Sequence, residues 1–564
     1  GSGPASPYAG FRVSIEGGVV TAVAPDGFFI QLPADMSDGD PETSDGLFVF
    51  TGGSPGVAVG DLVDVEGEVT EFFGFTEISG SPSVVVTGTG TVPPAVVFDA
   101  TVPSPDPSNP SCGLELEFEC YEGMLVEIVD GTVTGPNQRF GSDPIAEVHI
   151  TAAPARTFRE PGVEVPGLTL PPIPTWDGNP EVFELDPDRL GLEHRIIPAG
   201  SSFSATGVLG FEFGGYELWP TTLEVTPATL PAAVRASGPG ELTVGTLNLF
   251  RLFDDVDDPA DGDRNDQVVT TEEYQRRLAK FSSHVREVLA APDILGVQEV
   301  ESLKVLEDLA AEISSDSGGA VAYASHLIEG NDVGTIDVGF LVRDNISVDA
   351  VSQVDPDVTF VNPITFEDDT LHDRPPLLLE GSAALQFGSY PIAVMVVHNR
   401  SLNGIDGDEA LRVRVKRLLQ AESIASKVQD LQTDDPGVRL VVTGDFNAFE
   451  FTDGYVDAMG IVAGNFDPST SLVCSEAVSA ESCLGDLVEP DLDNQVLWVP
   501  DDERYSFIFR GSAQVLDHAL TSAKLAGEVS GVMFGRGNAD AAVDLINDDG
   551  TATFENLPLR SSDH

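Results

Sequence analysis

The sequence predicts a multidomain protein in which two all-β barrels in tandem precede an α/β four-layer sandwich, two β-sheets flanked by helices. Three observations carry this expectation. Residues 1–232 are short runs alternating apolar and polar side chains, separated by Gly, Pro and Asp, which is the pattern of half-buried strands and turns. One block of that pattern occurs twice in the stretch. From residue 241 onward, apolar runs of strand length alternate with long amphipathic segments, which places helices over sheets. A chain of 564 residues has room for several cores.

The first barrel is expected over residues 1–90. Residues 17–23 and 27–32 read as strands, and residues 59–69 alternate apolar and polar side chains, with Val63, Val65 and Val69 on one face and Asp64, Glu66 and Glu68 on the other. Short, evenly spaced strands suit a small Greek-key barrel. The second is expected over residues 91–232. Val63, Val65, Gly67, Val69, Phe73, Gly74, Glu77 and Ile78 match Phe203, Ala205, Gly207, Leu209, Phe213, Gly214, Glu217 and Leu218 without a gap. The Pro-rich residues 161–174 read as a loop inserted between its strands. Phe72, Phe73, Phe75 and Phe211 crowd the repeated hairpin. Phe at alternating positions is usually barrel core, although exposed aromatics on such sheets can stack on nucleic-acid bases.

Residues 227–240 read as a linker, and residues 241–564 as the catalytic unit. Strands are expected at 242–249, 293–300, 338–342, 392–398 and 439–444. An amphipathic helix is expected over 271–290, with Thr271 as cap and Tyr274, Leu278, Phe281, Val285 and Val288 on its apolar face, and a second over about 409–431.

The net charge of -65 narrows the partners. Lys280, Lys304, Lys416, Lys427 and Lys524 are the only lysines, and the barrels contain none. Such a surface repels polyanions and anionic membranes at low salt. A nucleic-acid substrate would therefore need local basic patches, bound metal or screening cations. The run Asp254-Asp255-Val256-Asp257-Asp258 suits additional structural Ca²⁺. No apolar stretch has the length of a membrane span. The start, Gly1-Ser2-Gly3-Pro4, reads as a mature or engineered terminus. The four cysteines form two close pairs, Cys112 with Cys120 and Cys474 with Cys483. Neither pair has zinc spacing, so two small-loop disulfides and an extracellular or cell-surface location are expected.

A set of hard-oxygen and imidazole side chains sits mostly at the ends of the apolar runs: Asn248, Glu299, His398, Asp445, Asn447, Asp517, Asp563 and His564. Any one of them alone has a bland reading; an Asn at a strand end is more often a turn residue. A glutamate such as Glu299 on an apolar strand, by contrast, is costly without a cation. Together they are what metal-assisted phosphodiester hydrolysis needs. The carboxylates hold Mg²⁺, with Mn²⁺ or Ca²⁺ as alternatives, and position water, while the histidines handle protons and charge. His284, His326 and His372 have no such setting and read as structural or surface residues, and His518, although beside Asp517, reads as structural rather than catalytic.

In order along the chain, Thr246-Leu247-Asn248, Gln298-Glu299-Val300, Asp337-Val338-Gly339-Phe340, His398, Gly444-Asp445-Phe446-Asn447, Leu516-Asp517-His518 and Ser562-Asp563-His564 resemble the endonuclease/exonuclease/phosphatase superfamily. The N-terminal part resembles the accessory region of large secreted bacterial nucleases of that superfamily, with OB-like barrels. The resemblance implies Glu299 as main metal ligand, with Asn248 and Asp563 in the same neighbourhood. Asp445 and Asn447 would orient the attacking water and a phosphate oxygen. His564 would be oriented by Asp517, and His398 would contact the phosphate and help neutralise or protonate the leaving group. Arg374 and Arg400 would bind phosphate. The resemblance also implies a further apolar strand after His564, without which Asp563 and His564 are expected to be weakly anchored. The expected function is a secreted, metal-dependent phosphodiesterase, foremost a nonspecific nuclease acting on DNA or RNA. The alternatives are a phosphatase or phospholipase of the same fold, and a calcium-dependent surface binding protein with a degenerate site. The oligomeric state is open.

Overall fold

The computed structural model describes residues 5–114, 116–140, 145–164, 170, 172–257, 267–386, 388–476, 482–483, 485–543 and 559–564. Asp258 lies outside them. The chain is multidomain and mostly β, with long helices confined to its second half.

β1 (Arg12–Val23), β2 (Gly27–Gln31), β3 (Gly46–Phe50), β4 (Asp61–Phe72) and β5 (Phe75–Thr89) close into a five-stranded barrel of order β1-β2-β3-β5-β4. All pairings are antiparallel except β3 with β5. β4 follows its sequence pattern, with Val63, Val65 and Val69 buried and Glu66 and Glu68 outside. A second ring repeats this connectivity. Leu125–Gly135 pairs with Val148–Thr151, which pairs with Phe183–Leu185. Phe183–Leu185 runs parallel to Gly215–Thr226, and Ser202–Glu212 joins that strand back to the first.

The repeat extends to the backbone. Phe73 and Gly74 have φ of 52° and 102°, and Phe213 and Gly214 have 49° and 97°. Two successive left-handed residues make the tight hairpin whose twist matches the flanking strands. A side chain on Gly67 would collide with Ile78, and one on Gly207 with the Trp219 carbonyl. Glu77 and Glu217 are both buried, and burial pushes them up to about 7 and about 9, helped by Asp26 in the first barrel and by Glu147 in the second. Glu217 accepts a hydrogen bond from Trp219 Nε1 at 2.8 Å. Trp219 in turn packs edge-on against Phe29 and Phe75 of the first barrel, each at 5.8 Å, so the two rings share a small apolar cluster.

The aromatic hairpins split. Phe72 and Phe73 are 57% and 84% exposed, whereas Phe75 is buried and Phe211 half-buried within that shared cluster. Phe75 and Phe211 are packing residues because alternation turns them inward. Residues 161–174 are not simply loop: Val163–Glu164 pairs in parallel with Thr175–Trp176.

The second half is a sandwich. One sheet has the order Val244–Leu252, Ile294–Val300, Asp337–Arg343, Tyr323–Leu327. The other runs Ile346–Gln353, Leu377–Leu385, Gly388–His398, Leu440–Asp445, Asp517–Thr521, Asp493–Asn494. Phe340, Leu377, Leu379, Val394, Val396 and their neighbours fill the space between the sheets. Helices α1 (Thr271–Ser283) and α2 (Leu303–Asp316) cover one outer face, and α3 (Ala410–Asp434) covers the other. Gly388–His398 is apolar throughout its second half because Val394 and Val396 face the opposite sheet while Met395 and Val397 face α3. α1 is capped by Thr270, not Thr271: the Thr270 hydroxyl accepts the Glu273 amide, and Glu273 reaches back to the Thr270 amide. The helix also ends earlier than its apolar spacing suggests, continuing as a π-helical turn over His284–Val288.

Candidate active site

The parallel pairs Val244–Leu252 with Ile294–Val300, and Gly388–His398 with Leu440–Asp445, end on the same side of the sandwich. Register brings their last residues together: His398 lies opposite Asp445, and Asp445 opposite Asp517. Glu299 arrives by a different device. Its strand shifts register between Val297 and Val300, and Glu299 has φ of 58°. Such a bulge turns a side chain away from the sheet face it would otherwise join.

Side chains far apart in sequence therefore meet. Asn248 Nδ2 donates to Glu299 Oε1 at 3.2 Å and to Asp445 Oδ2 at 3.3 Å. His398 Nε2 is 3.7 Å from Glu299 Oε1 and 3.5 Å from Asp445 Oδ2. His564 Nδ1 is 2.7 Å from Asp517 Oδ2, and its Nε2 is 3.8 Å from Asp445 Oδ2. Asp445 Oδ1 accepts the Asn447 amide at 2.8 Å, and Asn447 Nδ2 donates to the Asn399 carbonyl at 3.1 Å. Asp563 lies close enough to Glu299 to raise its pKa.

The two histidines differ in charge. Burial, with Arg374 and His564 nearby, holds His398 well below the usual histidine range. These surroundings favour the neutral ring beside Glu299 and Asp445. Burial also opposes a charged His564, but Asp517 and Asp445 outweigh it and hold His564 well above that range. Burial pushes Asp445 up to about 7, with Asp517 and Glu299 adding to the rise against the His564 charge. Burial and Asp563 raise Glu299.

The donor set suits a divalent cation. Glu299, Asp445, Asp517 and Asp563 cluster around one charged ring, and Arg374 is committed to Asp332 at 2.9 Å. The Asp517 Oδ1, Asn399 Oδ1 and His398 Nδ1 atoms are buried without a hydrogen-bond partner. Glu299, with Asn248 and Asp563 beside it, could hold an ion that keeps most of its waters. Of the acidic run, residues 254–257 are described and contribute to no tight three-residue acidic cluster, and Asp258 lies outside the described residues. The tight three-residue acidic clusters among the described residues lie elsewhere, at Glu147–Asp186–Glu217 and Asp486–Glu489–Asp491.

Arg374 also donates to the His398 and Asn399 carbonyls, so it borders the site. Arg400 has its guanidinium bound to Ser401 and to the Asn403 carbonyl within its own loop, near enough to Arg374 to feel its charge. His518 is buried between Asn494 and the Ala448 carbonyl, and His372 is held by Ser423, so both are packing residues. Asp563 and His564 are firmly anchored. Asn538 Oδ1 accepts from the Ser561 amide at 2.9 Å and from its hydroxyl at 3.0 Å, and Arg560 donates to the Asn538 and Ala541 carbonyls.

Sequence reasoning passed over Arg277. From α1 it donates to the carbonyls of Leu249, Phe250 and Arg251, clamping the left-handed Phe250 and Arg251 that follow Asn248. The available signal was an arginine beside Leu278 on the apolar stripe of a helix. Arg417, which is buried, similarly ties the Arg400 and Asn447 carbonyls to Asp453. A cavity of about 470 Å³ beside the site reaches it through Asn248, Asp517 and His564.

Residues 243–466 match the endonuclease/exonuclease/phosphatase family. Residues 88–229 match a domain of unknown function. No curated protein matches the chain. Among solved structures, truncated Caenorhabditis elegans TDP2 is similar at 18% identity, covering 50% of this chain and 83% of its own, with a TM-score of 0.29. A Bacteroides thetaiotaomicron mannosyl-6-phosphatase is 15% identical over 50% of this chain and 86% of its own, with a TM-score of 0.29. The human Nocturnin catalytic domain is 15% identical over 46% and 77%, with a TM-score of 0.26.

Proposed function

We propose that this member of the endonuclease/exonuclease/phosphatase superfamily is a secreted, divalent-metal-dependent phosphodiester hydrolase, foremost a nuclease of low sequence specificity. The observation that carries this reading is the convergence of Glu299, His398, Asp445 and the Asp517–His564 pair at one end of both sheets. When bound, a divalent cation supplies positive charge to a phosphate oxygen. Glu299, Asn248 and Asp563 would hold it. Asp445, with a pKa pushed up to about 7, is poised to accept a proton from the attacking water. Asn447 and the Asn248 amide fix that carboxylate in place. His564 is charged and aimed by Asp517, so it opposes the negative charge that grows on the phosphoryl group. His398, being neutral, can share a proton with a phosphate oxygen but is a poor acid. That shifts the leaving-group role toward His564.

Secretion is supported by the two disulfides, Cys112–Cys120 and Cys474–Cys483. No helix among the described residues is long and apolar enough to cross a membrane. The net charge of -65 favours a second reading, a small phosphoester in place of a polymer, because a small substrate meets less of the repelling surface.

The test is the full chain on plasmid, linear DNA, RNA, a sugar phosphomonoester and a choline phospholipid, with Mg²⁺, Mn²⁺, Ca²⁺ or chelator. Nucleic-acid cleavage with Mg²⁺ is expected, falling by about 10²-fold or more with chelator or in Glu299→Gln. Cleavage of the monoester or phospholipid alone would transfer the proposal to the second reading. Chelator-resistant activity in Glu299→Gln would overturn both.

A further inference from the structure

The excursion between the second-barrel strands Val148–Thr151 and Phe183–Leu185 leaves its own ring and lies on the sandwich. Ala513 donates to the Thr157 carbonyl at 3.0 Å and accepts from the Arg159 amide at 2.9 Å, so Phe158 forms a parallel bridge with Ala513. This places it beside the hairpin of Phe507–Phe509 and Ser512–Gln514. The Thr157 hydroxyl donates to the Gly511 carbonyl, Asn179 to the Ser512 hydroxyl, and the Gly162 amide to the Thr452 carbonyl. The Arg159 guanidinium is sandwiched between Trp176 at 3.9 Å and Phe449 at 4.8 Å.

One member of this contact reaches further. Arg156 donates to Asp540 Oδ1 at 3.0 Å and to the Thr134 carbonyl at 3.1 Å, and lies 4.3 Å over the Tyr505 ring. Its side chain and that of Asp540 are only 10% and 4% exposed. The other Asp540 oxygen accepts the Tyr505 hydroxyl at 2.9 Å, and the Asp540 carbonyl accepts the second-barrel amide of Ala199 at 2.9 Å. Two paths leave this junction. Tyr505 adjoins Ser506, whose hydroxyl accepts the amides of Leu516 and Asp517. Asn538, two residues before Asp540, holds Ser561 just ahead of Asp563 and His564. The paths rejoin where His564 meets Asp517 at 2.7 Å and packs against Phe507, ring centres 5.1 Å apart.

We propose that Arg156 of the second barrel is a positioning residue for the Asp517–His564 pair, acting through Asp540, and that the second barrel is thus a working part of the active site. The effect on turnover rests on the hydrolase reading above; the mechanical link does not. Reacting groups must be held within a fraction of an ångström, and a displacement of about 1 Å can cost about 10²-fold in rate.

The full-length protein is compared with Arg156→Ala, Arg156→Lys, Tyr505→Phe and a control, Arg12→Ala, which removes the exposed Arg12–Glu66 pair of the first barrel. Hydrogen exchange is followed in peptides covering 504–517 and 559–564, and kcat and KM on bis(p-nitrophenyl) phosphate with Mg²⁺. Arg156→Ala is expected to speed exchange in both segments and lower kcat by about 10- to 100-fold, with KM within about threefold because substrate contacts remain. Arg156→Lys, which keeps the charge, should recover part of the loss, and Arg12→Ala should change nothing. If Arg156→Ala does not fold, Tyr505→Phe decides, since it keeps the ring and removes only the hydroxyl held by Asp540. Unchanged exchange in a folded variant, or faster exchange with unchanged kcat, overturns the proposal. If the wild-type protein hydrolyses no phosphoester, the functional reading falls, and exchange alone confirms or overturns the link.

Discussion

His398 and His564 have the same side chain, less than 4 Å from the same Asp445 oxygen, yet their surroundings push one toward the neutral and the other toward the charged form. The difference lies in what faces the second ring nitrogen. His564 Nδ1 has the Asp517 carboxylate, whereas His398 Nδ1 has no partner. Asp517, with Asp445 behind it, favours the charged form of His564. Replacing it with Asn should lower the His564 pKa toward its ordinary value. If charged His564 is needed for turnover, the alkaline limb of the kcat/KM profile moves to lower pH, and the rate at pH 8 falls by about 30-fold, the loss of charged fraction for an ordinary histidine pKa of about 6.5. An unmoved limb would remove His564 from the proton-handling role. At this scale the sequence was informative where a polar residue ends an apolar run, as at Asn248, His398 and Asp445. It was silent on Arg277 and Arg417, because their work is done on backbone carbonyls, which leave no mark in a motif. Arg400 is held by Ser401 and the Asn403 carbonyl of its own loop, so a phosphate-binding role for it rests on the resemblance alone.

Among the elements, the duplicated hairpin was the most legible. Gly67 and Gly207 mark crowded sites, and the Phe-Gly pairs mark left-handed turns, each required by backbone geometry. What alternation could not settle was which aromatic lies at the tip: Phe73 is exposed and Phe75 buried, two residues apart across a turn that interrupts the strand phase. The buried Glu77 and Glu217 give the hairpins a pH signature. Their folded pKa values, about 7 and about 9, lie above the ordinary 4.5, so the folded state binds protons that the unfolded state releases. Their contribution is complete below about pH 4.5 and is lost as pH rises through about 7 and then about 9. The Tm is expected to fall between pH 5.5 and 9. Glu217→Gln, which can still accept from Trp219, should flatten that fall and raise the Tm at pH 9 by about 3 °C or more. A parallel decline in mutant and wild type would place the pH sensitivity elsewhere.

Over the whole molecule the dominant quantity is charge. With a net charge of -65 and five lysines, folding brings like charges together, and screening relieves them. The Tm should rise as NaCl is increased from about 0.01 M to 1 M, over which the Debye length shrinks from about 30 Å to 3 Å. A flat or falling Tm would show that local pairs, such as Arg417–Asp453 at 3.1 Å, outweigh the general repulsion. The order of parts along the chain was legible, because alternation gives way to helical periodicity near residue 241. The docking of the second barrel was not. Its contacts are backbone pairings such as Thr157 with Ala513 and single side chains such as Arg156, drawn together by folding from more than half the chain apart.

The bulge that carries Glu299 also sets regularity of the sheet against chemistry. Leu295 and Val297 face the α1 and α2 layer, and so does Val300, although an unbroken strand would turn an even-numbered residue the other way. The strand thus carries one residue more than its pairing requires, and that surplus position, in a left-handed conformation that a glutamate rarely adopts, supplies the carboxylate. Deleting it would give a smoother and less strained sheet without the carboxylate proposed to hold the ion. Stability and activity are opposed at this single position, so selection for thermal robustness alone would tend to erase the enzyme while preserving the fold.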